Sequence, residues 1–455
     1  PWSGSRIAMA GAAEAWQTQL PLGYTQKILS YHLVGGNLYA IGVDGEVRAI
    51  RADTGEHIWT RPVARAFETI WPPVAASLEG QPAVVFTLVR EAVFLDPLTG
   101  WELKRVRLTQ TSTAAVAVSD QHLFMVGPQG RVHCLALSDN ARQWGSGMPG
   151  SIQVPAIYRP DGDAVILLDD KGTLASLDSR GEEHFIRSIE ATPSGPAAVD
   201  ANAIYAATTD GILRAIQRDN GDLIWTYAMV ERSEGGPVLT QTGLYQATSG
   251  GGLYRFDISG MAVLATQPAP ADVVLDAAQV TAAVPNRAPT DQAQLAPKPE
   301  IEIPQAVRDL PKIDAYQQLR RWYYPQGKKF LAEWPERVVV LRADGLIGLI
   351  PRDSVLGEPA ELLDLRPVDG TLSNTVNDAV ILTSGSGLIR CLRPAGVKQL
   401  TPADFGLTTT AQPAASLPAE GQEAAADTTP PTPAARSSTE MLLDDPLRSR
   451  RPLAQ

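Results

Sequence analysis

The sequence is short of cysteine, of histidine, of uninterrupted apolar runs and of positive charge, and each shortage removes a class of protein. Only Cys134 and Cys391 occur in 455 residues; so few, so far apart, exclude a disulfide framework and a clustered cysteine metal site. The five histidines, His32, His57, His122, His133 and His184, include no pair at the close spacing of a zinc site. No apolar run reaches the roughly 18 to 20 residues that a membrane-spanning helix needs. Basic residues number 39 against 50 acidic ones, a net charge of -11, which argues against a chain built to hold a phosphate backbone, and no nucleic-acid partner is expected. The chain starts at Pro1, and Ala8-Met9-Ala10 has the small-x-small pattern of a signal-peptidase site without the apolar stretch that precedes one.

What the sequence does contain is repetition. "DGEVRAIRADTGEHIW" from Asp44 returns as "DGILRAIQRDNGDLIW" from Asp210. Between and beyond them lie further copies of one pattern: a short apolar strand, a tight turn, a second strand, another turn and an outer strand. Eight units start near Asn37, Ala83, His122, Ala164, Ala203, Gly243, Arg337 and Asp378. The hairpin glycines Gly45, Gly130, Gly172, Gly211 and Gly251 recur at about 40-residue multiples, as do Gly345 and Gly387 after a gap. Asp-Gly and its relatives between apolar runs mark tight hairpins. A second turn leads to an outer strand ending in Trp59, Trp144 or Trp225. Each unit is thus a four-stranded meander that cannot cover its own apolar faces and must stack on its neighbours.

Radial closure of eight such units predicts an all-β, eight-bladed β-propeller. Strands such as "AVILLDD" and "RVVVLRAD" are apolar at nearly every position, as burial on both faces requires. Ala49, Ala175 and Ala215 follow the hairpins, and small residues there suit blades that taper toward an axis. "AWQTQL" before the first unit reads like the outer strands "IWTRPV" and "IWTYAM", so residues Glu14 to Leu20 are expected to supply the outer strand of blade eight and close the ring.

These units resemble the PQQ-like repeat family of eight-bladed propellers, in which an outer-strand tryptophan follows a D-x-x-T-G turn. The likeness covers residues 14–265 and 328–400, and Asp53-Thr54-Gly55 through Trp59 is its best copy. That family holds quinoprotein dehydrogenases and non-catalytic proteins similar to the lipoprotein of the outer-membrane β-barrel assembly machinery. The resemblance to the dehydrogenases implies adjacent cysteines, a tryptophan floor, calcium and an aspartate base around the quinone. This sequence has no adjacent cysteines, and its repeat tryptophans belong to outer strands. The resemblance to the assembly lipoprotein implies a bacterial envelope setting that faces the periplasm. No cysteine precedes Cys134, so the lipid anchor of that lipoprotein is expected to be missing or to have been lost with the N-terminus.

Two segments fall outside the repeat. Residues 266–327, between blades six and seven, are expected to form a flexible Pro- and Ala-rich insertion, with eight prolines between Gln267 and Pro311. The insertion should end in a short helix, because Ile313, Tyr316, Leu319 and Tyr323 share a helical face up to Pro325. Tyr316, Arg320, Arg321, Trp322 and Tyr324 are candidate partner-binding residues there, tyrosine, tryptophan and arginine being the side chains that dominate contact hot spots; the alternative is that the aromatics pin the helix to the propeller rim. Residues 401–455 form a low-complexity tail, expected to be disordered when alone. Met441, Leu442, Leu443 and Leu447 beside three arginines give it a possible docking segment, with a frayed end as the alternative.

Motifs for chemistry are few. "GSGMPG" at Gly145 to Gly150 satisfies G-x-G-x-x-G but follows an outer strand and enters another, so it reads as a blade-connecting loop rather than a dinucleotide site. Asp161-Gly162-Asp163 and Asp169-Asp170 read as turns. No catalytic, cofactor-binding or metal-binding residue is assigned, and no cofactor is expected. The function read from the sequence is therefore a non-enzymatic scaffold offering rim and loops to other proteins, in the envelope or in a larger complex. The alternatives are a quinone-dependent redox enzyme and a small-ligand sensor using the axial pocket.

Overall fold

The computed structural model describes residues 11–258, 320–354, 357–359, 361–364 and 370–405. Eight four-stranded antiparallel sheets follow one another along the chain. In blade one the inner strand Ile28–Val34 pairs with Asn37–Gly42, then Glu46–Arg51, then the outer strand His57–Pro62. The same order repeats over residues 74–107, 117–147, 157–188 and 198–228. The second strand is completely buried in blades one, four, five and eight, Asn37–Gly42, Ala164–Leu168, Ala203–Ala207 and Val380–Thr383, and buried over at least half its length in the others.

Burial on both faces follows from what lies between the sheets. Eight hydrophobic clusters fill the eight gaps between neighbouring blades. One joins blade one to blade two through Tyr39, Trp59, Phe86 and Val93. Another joins blade eight to blade one through Trp16, Ile381, Cys391, Leu38 and Ile50. With a core in every gap, the ring is closed.

The closing strand is Ala12–Gln19, which pairs antiparallel with Leu388–Pro394 and puts Trp16 opposite Cys391. The closure expected from residues 14 to 20 is therefore present, two residues longer at its start. Glu14 also ion-pairs with the buried Arg390 across this seam.

Three expectations need correction. The insertion lies inside blade six, not between blades six and seven. Residues 259–319 separate the third strand, Leu253–Asp257, from the outer strand Arg320–Tyr324 that pairs with it. That strand also replaces the helix expected to end near Pro325. The spacing of Tyr323 fitted a helical face, but the vacant edge of blade six and the apolar gap beside blade seven decide the conformation, a tertiary override of local periodicity. Ile313, Tyr316 and Leu319 lie outside the described residues. Finally, the chain stays packed past Leu400: Pro402–Phe405 makes one 3-10 turn whose Phe405 is buried in the cluster between blades eight and one.

Two of the three alanines have a reason other than taper, while Ala175 faces Ile186. Ala49 sits opposite Trp59, and Ala215 opposite Trp225, at the last pair before a bulge in the outer strand. A small residue leaves the large indole room to lean toward the next blade. There it meets a turn: Trp59 Nε1 donates to Pro97 O at 3.1 Å, Trp144 Nε1 to Ser179 O at 2.8 Å, and Trp16 Nε1 to Ala52 O at 3.1 Å. Gly100 shows why that turn needs glycine. Its φ is +69°, and a Cβ there would lie 2.6 Å from Trp59 Cδ2. Blade two lacks the tryptophan and puts Lys104 at the position, whose ammonium donates to Leu137 O of blade three.

Candidate interaction surface

Both thiols are buried, and burial pushes Cys134 and Cys391 up to about 12, so neither is a thiolate at neutral pH. Burial also lowers His32 to about 4, leaving a neutral imidazole within 3.0 Å of Ser30 Oγ. His57 and His133 shift down for the same reason. Among the described residues, no group of three or more His, Cys, Asp or Glu side chains could hold a metal ion.

The motifs singled out by sequence resolve into joints between blades. Gly145 and Gly147 lie on the outer strand Arg142–Gly147, and Gly150 N donates to Asp169 Oδ2 at 2.7 Å while Ser151 N donates to Asp170 Oδ1 at 2.8 Å. The G-x-G-x-x-G stretch and the paired aspartates thus tie blade three to blade four. Asp161 is bracketed by Arg159 and Arg218, whose hydrogen bonds hold its carboxyl down at about 2. Asp163 accepts from Ser179 and Tyr158.

One polar cleft of about 420 Å³ runs between the turns of blades six, seven and eight. Glu333 lies in it and accepts hydrogen bonds from Thr240 Oγ1 at 2.9 Å and Tyr245 Oη at 2.6 Å, and from Thr242. Burial, then the charge of Glu333, raises the Tyr245 hydroxyl. Because the carboxylate's acceptor sites are filled by the protein itself, the cluster acts as an inter-blade clasp.

Exposed apolar side chains lie on both faces of the ring, with Leu98 and Trp101 at 72% and 66% on the third turn of blade two. A meander puts its first and third turns on one face of the ring, and its middle hairpin and the links between blades on the other. On the latter face Tyr24 and Phe67 are fully or almost fully exposed, at 105% and 87%. Two separate loops carry them, and both are fastened to the same hairpin of blade one. Val43 N donates to Lys27 O at 3.0 Å and Gln26 Nε2 to Asp44 Oδ2 at 2.8 Å, while Phe67 N donates to Val43 O at 2.9 Å. Phe67 holds φ +64°, a region that bulky side chains rarely occupy and that persists only when surroundings dictate it. Two aromatics are thereby held into solvent on hydrogen-bonded loops.

Of the partner-binding candidates read from sequence, Trp322 and Tyr324 do not lie on such a surface. Trp322 and Tyr324 are 1% and 4% exposed, packed in the gap toward blade seven beside Tyr245 and Phe330. Arg320 and Arg321 belong to the same strand. Tyr316, Met441, Leu442, Leu443 and Leu447 lie outside the described residues. Trp322 occupies the register position of Trp59 and Trp225; the shared Trp-x-Tyr of Trp225 to Tyr227 and Trp322 to Tyr324 is the signal that identifies it. Tyr24 and Phe67 carry no pattern in sequence, because their exposure comes from how two loops meet.

Ring, blade count and closing strand define an eight-bladed β-propeller. The family model described as outer membrane protein assembly factor BamB matches residues 43–208 and 187–264. In structure the chain is similar to BamB from Moraxella catarrhalis, with a TM-score of 0.56, 13% identity, and coverage of 86% of this chain and 99% of that one. It is also similar to the computationally designed Ika8 protein, with a TM-score of 0.55, 11% identity, and coverage of 82% and 98%. At such identities these likenesses show the fold. No curated protein sequence matches the chain. The match over residues 43–264 supports the PQQ-like repeat β-propeller family, BamB-like, for this chain.

Proposed function

We propose that this protein is a non-enzymatic scaffold of the bacterial envelope that faces the periplasm and holds other proteins against its loop face. The observation that carries the reading is the pair Tyr24 and Phe67, exposed at 105% and 87% on loops seated on one hairpin. Exposed aromatics on rigid loops are the anchors from which protein contacts draw most of their energy. Two buried thiols with raised pKa values and a lowered His32 leave those groups unsuited to nucleophilic or acid–base work near neutral pH. The matching family model carries the description of an outer membrane assembly factor, which supports the setting.

Affinity purification from bacterial envelope fractions tests this. Intact chain is compared with Tyr24→Ala/Phe67→Ala and with versions lacking 267–311 or 406–455. The double variant should fold as the parent does and lose at least one co-purifying protein. A list unchanged by the double variant would sink the surface, and an empty list for the intact chain would sink the scaffold reading.

A further inference from the structure

The eight outer strands form the perimeter of the ring, and each is the edge of its sheet, with alternate N–H and C=O groups facing outward. Soluble proteins guard such edges with charge or proline, because a bare edge templates the pairing of another strand. Seven outer strands follow this rule, with Glu14, Arg61, Arg105, Arg142, Arg187, Arg321 and Glu361 in blades eight, one, two, three, four, six and seven. Blade five does not. Its outer strand Leu223–Ala228 reads Leu-Ile-Trp-Thr-Tyr-Ala, without charge or proline.

Blade one supplies the internal comparison. Ile58-Trp59-Thr60 repeats Ile224-Trp225-Thr226, yet the next two residues are Arg61 and Pro62 in blade one and Tyr227 and Ala228 in blade five. The repeat is the same and only the guards are missing. Leu223 is 57% exposed on this edge, and Ile186 of the neighbouring outer strand is 43% exposed.

We propose that the blade-five edge accepts an extended, uncharged segment of a partner protein as a fifth strand, held by backbone hydrogen bonds. Length selects this occupant over a second copy of the chain: six residues span roughly 20 Å, and at the roughly 5 Å spacing of paired strands that strip is about 100 Å², little of the roughly 1,600 Å² that a stable interface buries. Charge selects its composition, since a charged side chain laid along this strand would meet no opposite charge on it. The inference deepens the protein-binding reading and rests on it.

The probe is a fluorescein-labelled decapeptide of eight alternating valines and threonines with one lysine at each end, titrated with the full chain and followed by anisotropy. Saturable binding is expected, weakened at least about tenfold by Thr226→Lys, which puts a guarding charge on the edge, or by methylating alternate peptide nitrogens, which removes backbone hydrogen bonds. Thr226 is exposed, and circular dichroism checks that the variant folds. Thr60→Lys, the same change on the guarded strand, should leave binding unchanged. No binding, equal binding by the methylated peptide, or equal weakening by Thr60→Lys would overturn the proposal. So would sedimentation showing a dimer that Thr226→Lys dissociates, for the occupant would then be a second copy. Peptide binding with an empty affinity-purification list would reject the scaffold reading and leave the edge standing; a partner list without peptide binding would do the reverse.

Discussion

Replacing Gly100 by alanine should cost far more than replacing Gly80, although both residues hold positive φ, +69° and +80°. At Gly80 nothing lies within 4 Å of the added Cβ, so the cost is that of left-handed backbone for an L-residue, about 1–2 kcal/mol. At Gly100 the new methyl would lie 2.6 Å from Trp59 Cδ2 and 2.9 Å from Cγ and Cε3, and an overpacked site adds about 1–3 kcal/mol. The total is about 2–5 kcal/mol. Trp59 is itself buried and hydrogen-bonded to the same turn, so Trp59→Ala should cost about 3–5 kcal/mol. In that background the indole is gone, and Gly100→Ala should fall back to the cost of Gly80→Ala. The coupling in the double-mutant cycle is then about 1–3 kcal/mol. Urea unfolding followed by far-UV circular dichroism reads each term. Equal costs at the two glycines, or costs at Trp59 and Gly100 that simply add, would refute the idea that each blade docks its outer aromatic on the next blade's turn.

Other expectations follow from the seam and the buried groups. Trp16→Ala removes the indole that crosses from blade eight to blade one and should destabilise the ring by about 3–5 kcal/mol; a change under about 1 kcal/mol would mean that the closing strand is dispensable. Cys134 and Cys391 should resist iodoacetamide in the native protein at pH 8 and react once it is unfolded, because burial raises both thiols to about 12; native labelling at the rate of a free thiol would contradict this. His32, lowered to about 4, is neutral when folded, whereas the unfolded chain takes up the proton below its ordinary value of about 6.5. Stability should therefore fall as pH drops from about 6.5 toward 4, and His32→Gln should flatten that slope; an unchanged slope in the variant would disprove the assignment.

The fold was legible because repetition is a statement about the whole chain. Hairpin glycines at 45, 130, 172, 211, 345 and 387 all hold the positive φ that their turns require, and the likeness of "AWQTQL" to later outer strands located the seam. Blade six was misread because its outer strand is cut off from its repeat by residues 259–319, so Arg320–Tyr324 showed only a local period that suits either helix or strand. Phe185 and Lys104 replace tryptophan in blades four and two, so the outer-strand position there has no tryptophan to mark it. Sites were harder still. Trp322 has the composition of a binding hot spot and the position of a core residue, and only the packing separates the two. Tyr24 and Phe67 stand exposed because of hydrogen bonds made to Val43 and Asp44 by two loops distant in sequence, a relation with no periodic trace.

The most direct test of the central claim is site-specific photo-crosslinking in living bacteria, with a benzophenone amino acid placed in turn at Phe67, Tyr24 and, as a control on the opposite face, the exposed Leu98. Discrete adducts with the same envelope protein from positions 67 and 24, and none from position 98, are predicted. Adducts that form equally at all three positions, or at none, would contradict the assignment of this face to protein binding.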